Sequence, residues 1–282
     1  MPEFFKMTTI HYKMTEAFLA SNADCAAPVY SLLEFQGSKI KSVPENVDVY
    51  LYGSLDGITG IMVFLMHEHL FVLSEDRGLM GKYDFLKLIR SFRPKWIKGN
   101  PGAVQQVMHI SKPFSTIQDS NDIVIMKAEA MPGQETLGKG KVCQLPEALD
   151  LKEAAALMQR IEKAFSQQPS SINRLKQRIV QRVADGEQIF CDHGGVLIAH
   201  GAIEYYTPES AMLGGIYVDP AMRGQGCGGY VTRALMERVF NKNMTPLLCV
   251  YTENLEARRL YESLGFHTKA VLQEIHLDYD RS

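Results

Sequence analysis

Apolar positions fall into short runs whose period switches between two and three-to-four, and the order of those switches predicts the elements. Residues 47–52, 59–66 and 70–73 are rich in β-branched and aromatic side chains and are parted by turn signals such as Leu55-Asp56-Gly57, which predicts three strands. Upstream, 14–39 mixes two helical stretches. Downstream, Phe85, Leu88, Ile89 and Phe92 stand at helical spacing within 83–92, followed by a short strand at 95–98, a helix at 103–110 and a strand at 122–127. The second half repeats this order. Residues 153–165 and 172–184 are amphipathic helices, separated by Pro169-Ser170-Ser171, the second ended by Asp185-Gly186. Three antiparallel strands at 188–191, 196–206 and 213–218 lead into a glycine-rich turn and a helix with Val231, Ala234, Leu235 and Val239 on one stripe. A strand at 246–251, a helix at 255–264 closed by Gly265 and a strand at 269–277 complete the chain.

Two halves with one order suggest an internal duplication. Phe71–Gly78 occupies the slot of Ile216–Gly224, and Asn100-Pro-Gly-Ala103 that of Asn254-Leu-Glu-Ala257. Between the halves, 131–141 replaces periodicity with Gly, Pro and charge and reads as a linker, giving domains at 1–130 and 142–282. The length of 282 residues agrees with roughly two domains at about 100–200 residues each.

Charge and cysteine content remove several function classes. Lys+Arg 30 against Asp+Glu 32, with no basic block, offers no field for nucleic acid. Cys25, Cys143, Cys191, Cys227 and Cys249 are odd in number and never form C-x-x-C, so neither a disulfide framework nor a zinc site is indicated, and a reducing cytoplasm fits. The apolar run at 58–66 is about half of a ~20-residue membrane span, so no membrane association is expected. His67-Glu68-His69 has its histidines two apart in strand-like sequence rather than i, i+4 on a helix, and no metal is expected.

The most informative stretch runs from Val218-Asp219-Pro220 through Arg223, Gly224, Gln225, Gly226, Cys227, Gly228 and Gly229, after a strand and opening a helix. Glycines permit close backbone approach, and the free N–H groups of a helix's first turn attract phosphate. A P-loop is disfavoured because no Lys-Ser or Lys-Thr follows the glycines. Gly224, Gly226 and Gly229 do satisfy G-x-G-x-x-G, and Glu253 closes the next strand where a ribose-binding acid would stand. Only about fifty residues follow, however, and the preceding strand ends an antiparallel meander, which rejects a dinucleotide-binding fold.

Arg223-x-x-Gly226-x-Gly228 resembles the acetyl-CoA signature of the GNAT superfamily of N-acetyltransferases, Q/R-x-x-G-x-G/A. Asn254-x-x-Ala257-x-x-x-Tyr261-x-x-x-Gly265-Phe266 is similar to the superfamily's second motif. The resemblance covers roughly residues 140–280 with both motifs in order. It implies an α/β fold, an α+β mixed sheet arranged as tandem GNAT-like domains, each mostly antiparallel with flanking helices and a V-shaped strand splay for acyl-CoA.

The activity so implied is direct attack of an amine, from a small molecule or a protein, on the thioester of acetyl-CoA, in a monomer or homodimer. Pyrophosphate is then expected on the N–H groups from Arg223 to Gly229, and pantetheine along Ile216, Tyr217 and Val218, where that strand splays from 247–251. The Val218 N–H is the expected oxyanion donor, and Tyr261 the expected general acid, against the alternative of simple core packing. Asn254 reads equally as a helix N-cap or a CoA contact. The strand position that often carries a catalytic carboxylate falls near Met212, and no Asp or Glu occurs from Ala211 to Val218. Glu204 is the best substitute base, since Ala202, Glu204 and Tyr206 share a face under period-two alternation; Glu209 and Glu253 are weaker. Cys227 reads as a small residue permitting close approach, and Arg258-Arg259 as a solvated helix face.

The first half looks like a degenerate copy. Arg77-Gly78-Leu79-Met80-Gly81 lacks the Gly-x-Gly spacing, and Val107 stands in the slot of Tyr261. Such a domain is expected to pack against the active half, help form the acceptor pocket or mimic a dimer partner. The rival function is a non-catalytic CoA-binding sensor or interaction module.

Overall fold

A computed structural model describes residues 3–54, 56–66, 68–76, 83–133, 144–146, 148–164 and 168–279. The chain divides into two compact units, the first formed by Met1–Ile125, Val250–Asn254 and Thr268–Ser282, the second by Met126–Cys249 and Leu255–His267. The expected linker at 131–141 lies outside the described residues from position 134 onward.

The first unit opens with β1 (Glu3–Lys6), α1 (Tyr12–Ser21), α2 (Ala23–Ala26) and a small hairpin of β2 (Glu34–Gln36) and β3 (Lys39–Ser42). A meander follows, β4 (Val47–Ser54), β5 (Gly57–Leu65) and β6 (His69–Ser74), then α3 (Tyr83–Phe92), β7 (Trp96–Gly99), α4 (Pro101–Ser111) and β8 (Ser115–Ala128). The sequence pattern locates the meander and both later helices but not β1, β2 or β3. These are strands of three or four residues, too short for alternation to register.

In the second unit, α5 (Leu151–Ala164) and α6 (Ile172–Ala184) precede β9 (Gln188–His193), β10 (Val196–Tyr206) and β11 (Ser210–Val218). Then come α7 (Cys227–Asn241), β12 (Thr245–Tyr251), α8 (Leu255–Ser263) and β13 (Phe266–Tyr279), the residues from Thr268 belonging to the first unit. Ser171 starts α6 by accepting a hydrogen bond from the Arg174 N–H, and Gly186, at φ 72°, follows its end. Leu175 and Ile179 of α6 bury against Ala154, Leu157, Met158 and Ile161 of α5.

Strand order in the first unit is β1-β4-β5-β6-β7-β13-β8, and in the second β12-β11-β10-β9. Each unit holds an antiparallel meander whose last strand turns parallel to its next neighbour, β6 to β7 and β11 to β12. This is a mixed, mostly antiparallel α/β sheet with flanking helices, built twice. Among the described residues, no helix is long and apolar enough to cross a membrane.

Candidate active site

The site is built on the end of β11. Its parallel pairing with β12 runs from Ser210↔Thr245 to Leu213↔Leu248, while β11 continues five residues further to Val218. Burial changes at the same point: Ser210 to Leu213 are buried, whereas Gly214 to Val218 are half-buried. Successive residues of an antiparallel strand direct their N–H groups to alternate edges. Asp219 donates its N–H to the Ile198 carbonyl at 2.8 Å, so the preceding N–H, that of Val218, faces the opposite edge of β11, which β12 has left. Arg223 folds back on this edge, its Nε donating to the Val218 carbonyl at 3.4 Å.

Beyond Val218 the chain makes the predicted turn. The Asp219 side chain accepts from the Ala221 N–H and starts a single 3-10 turn, Pro220–Met222. Arg160 of α5 holds the same carboxylate at 3.2 Å. Gly224 and Gly226 follow at φ 74° and 82°, the left-handed region that side chains rarely adopt, and Gly226 is the N-cap of α7. The first bond of the helix is Tyr230 N–H to Gly226 C=O, so the N–H groups of Cys227, Gly228 and Gly229 have no intrahelical acceptor. Cβ atoms placed on Gly224 or Gly226 would have open space around them, so the turn presents an accessible backbone surface. Cys227 is buried beneath it, and Arg223 and Gln225 are exposed.

Gly228 and Gly229 also admit α8: their Cβ positions lie 3.1 and 3.4 Å from Leu260. Tyr261 is the buried residue of that helix, its ring 6.0 Å from Phe266. Burial pushes the Tyr261 phenol up to about 12, so it keeps its proton at neutral pH. Asn254 is exposed and its N–H donates to the Tyr251 carbonyl at 3.0 Å. Arg258 pairs with Glu262 at 3.8 Å, and Arg259 is exposed.

Glu204 reaches the site by a route that alternation does not describe. Ile203 pairs with Leu213 and Tyr205 with Met212, so Glu204 is an extra, bulged residue of β10. The bulge lays its side chain over the end of β11: a Cβ on Gly214 would fall 2.6 Å from Glu204 Cγ, and one on Gly215 would fall 3.2 Å from Oε1. Arg182 of α6 pairs with the carboxylate at 3.6 Å. Glu209 and Glu253 are exposed.

Two buried polar side chains of the second unit carry no sequence signal. His200, buried on β10, places Nδ1 2.8 Å from the Gly215 carbonyl and Nε2 2.8 Å from Gln188 Nε2. Glu162, buried on α5, accepts from the Ser170 N–H at 2.7 Å and from its hydroxyl at 3.0 Å, and pairs with Arg178 at 3.2 Å. Burial pushes the Glu162 carboxyl up, but these donors outweigh it and leave the net shift downward. It thereby fastens α5 to the start of α6, across a connection of which residues 165–167 lie outside those described.

In the first unit the corresponding strand pair is closed. Pairing of β6 with β7 runs to Val72↔Gly99, two residues short of the end of β6. Asn100 then accepts from the Ser74 N–H at 3.0 Å and donates to the Ser74 carbonyl at 2.9 Å. Gly99 makes the contact possible, since a Cβ there would overlap the Val72 carbonyl. The expected degenerate turn at 77–81 lies outside the described residues, as does His67. Among the described residues, no group of three or more His, Cys, Asp or Glu could hold a metal.

The fold of the chain, a mixed sheet with flanking helices in each unit, is shared with solved structures described as GNAT acetyltransferases, one of them a tandem protein. Residues 199–274 match the family model described as FR47-like protein. A GCN5-related N-acetyltransferase from Sphaerobacter thermophilus is similar at 13% identity and a TM-score of 0.64, covering 99% of this chain and 95% of that one. A tandem GNAT protein from the clavulanic acid biosynthesis pathway is similar at 13% identity and a TM-score of 0.56, covering 99% and 98%. An acetyltransferase of the GNAT family from Colwellia psychrerythraea, also at 13% identity, has a TM-score of 0.52, covering 98% and 100%. No curated protein matches the chain in sequence.

Proposed function

We propose that the chain is an acyl-CoA-dependent N-acyltransferase that passes acetyl from acetyl-CoA to an amine of a small molecule or protein. The observation that carries this reading is the open edge of β11, with the Val218 N–H facing it, leading directly into the glycine turn. The residues fit the cofactor: left-handed glycines and three helix N–H groups without intrahelical acceptors make a phosphate cradle, and the uncovered edge gives an extended pantetheine a strand to pair with. Bound acyl-CoA supplies an activated thioester.

In this reading Arg223 to Gly229 hold pyrophosphate, and Ile216 to Val218 orient the pantetheine arm. The Val218 N–H stabilises negative charge on the thioester oxygen as the amine attacks. Tyr261, protonated at neutral pH, donates to the departing thiolate. Glu204, its side chain 41% exposed, accepts the amine proton. Asn254 stays open between starting α8 and touching CoA. The free cysteines Cys25, Cys191, Cys227 and Cys249 suit a reducing compartment.

The test is thiol release from acetyl-CoA across an amine panel. Turnover that Tyr261→Phe lowers by roughly 10²-fold, in the range of general acid catalysis, supports the assignment. One observation favours the rival CoA sensor: β11 carries no carboxylate from Ser210 to Val218. CoA binding without turnover on any amine would establish that rival instead.

A further inference from the structure

The junction of β10 and β11 contains a second bulge whose construction has a purpose under the proposed reaction. His200 pairs with Tyr217 and Ala202 with Gly214, so Gly215 and Ile216 together oppose Gly201. A bulge leaves an extra peptide outside the regular ladder, and its carbonyl needs another donor. His200 is that donor. The Gln188 side-chain amide donates to Nε2, so the proton of the neutral ring sits on Nδ1 and is directed at the Gly215 carbonyl. Burial favours the neutral ring, and Phe190, with its ring centroid 5.1 Å away, packs against it.

Gly215 is held from two sides. Its φ is 58°, and a Cβ would meet His200 Cε1 at 3.3 Å and Glu204 Oε1 at 3.2 Å. Arg182 anchors the second contact by pairing with Glu204 and donating to the Ile203 carbonyl. Because a trans peptide directs its N–H opposite its C=O, fixing the Gly215 carbonyl fixes the direction of the Ile216 N–H. This N–H lies on the stretch of β11 beyond Leu213, where pairing with β12 has ended, two residues before Val218.

We infer that His200 is a positioning residue for acyl transfer: its Nδ1–H holds the Gly215 carbonyl and so sets the backbone from Ile216 to Val218 against the thioester. The inference rests on the acyltransferase reading. An imidazole at 2% exposure pays a desolvation cost that a leucine would not, and both its nitrogens are committed to this brace. It touches no reacting atom; its effect passes through the backbone it holds.

The experiment uses the full chain with acetyl-CoA. His200→Leu should lower kcat per CoA-binding site by tenfold or more while leaving CoA affinity within about twofold, because the phosphate turn is separate from the brace. His200→Gln, which restores an amide donor, should recover part of the loss, and Gln188→Leu should give a smaller loss of kcat if His200→Leu does not fold. A second readout needs no turnover: the Ile216 and Val218 amide resonances, observed with selectively labelled protein, should shift and exchange faster with solvent in His200→Leu or Gln188→Leu. Absence of turnover in the unaltered chain would count against the acyltransferase reading alone. Unchanged Ile216 and Val218 amides, or kcat per site within twofold of the parent, would overturn the positioning role.

Discussion

Gly226 combines two requirements in one residue, the left-handed backbone that starts α7 and the absence of a side chain where an anion is expected to approach. Gly226→Asp violates both. Strain of roughly 1–2 kcal/mol is expected from the left-handed conformation, and a carboxylate is placed where pyrophosphate should sit. Calorimetry should find CoA binding abolished; an unchanged affinity would refute the phosphate assignment. Glycines of this kind are legible in sequence because their identity is their chemistry. His200 is not, because its role depends on a carbonyl fifteen residues away that only the fold brings close. It also carries a pH signature. Burial depresses its pKa to about 4, with the Arg182 and Arg178 charges acting in the same direction and the Gly215 hydrogen bond opposing them. Between about 4 and the ordinary 6.5 the unfolded chain therefore binds a proton that the folded chain does not, so stability rises with pH across that window. The contribution, complete above pH 6.5, is about 3 kcal/mol and is lost as pH falls to 4. Denaturant titrations at a series of pH values should show this slope in the parent and its flattening in His200→Gln; equal slopes would discount the buried neutral ring.

At the scale of elements, the two units differ in the strand pair on which the site is built. In the second unit β11 outruns its pairing with β12 by five residues; in the first, β6 outruns β7 by two, and Asn100 ties both backbone groups of Ser74. Asn100 and Asn254 occupy matching slots in the sequence, yet Asn100 makes no side-chain cap of α4 and acts as a lock between strands. Asn100→Ala should destabilise the chain by about 1–3 kcal/mol by leaving the Ser74 N–H and C=O unpaired, read as a lower denaturation midpoint. CoA affinity should not change, because the closed pair offers no edge to pantetheine; altered CoA binding would argue for a second site. Periodicity revealed the meanders and helices because long apolar stripes reflect burial directly. It did not reveal the bulge at Glu204, which inserts an extra residue and breaks the alternation used to assign its face. Glu204 nevertheless comes to lie over Gly214 and Gly215, for a reason the alternation argument did not contain.

At the scale of the molecule, order along the chain and membership of a compact unit are different things. The repeat of elements along the sequence assigns the last strand to the second half, yet Thr268–Ser282 belongs to the first unit. There β13 pairs antiparallel with β7, from Gln273↔Gly99 to His276↔Trp96. Ile275 and Leu277 are buried in one core with Phe85, Ile89, Ile97 and Val104. Hydrophobic pattern could not disclose this, because a strand's apolar face specifies that it is buried and not which sheet receives it. Residues 1–130 produced alone would therefore leave β7 with an unpaired edge and its core uncovered on one side. That fragment should show weak amide dispersion and a shallow, non-cooperative thermal transition. Adding a synthetic peptide of residues 264–282 should restore dispersion and raise the transition in a concentration-dependent way, since a segment that binds the folded form stabilises it by mass action. In the intact chain, Leu277→Ala should cost about 2–5 kcal/mol, the range for a truncated buried leucine. A 1–130 fragment that folds cooperatively without the peptide would show that the strand is an accessory to this unit; dependence on the peptide would show that its fold is completed by the last segment of the chain.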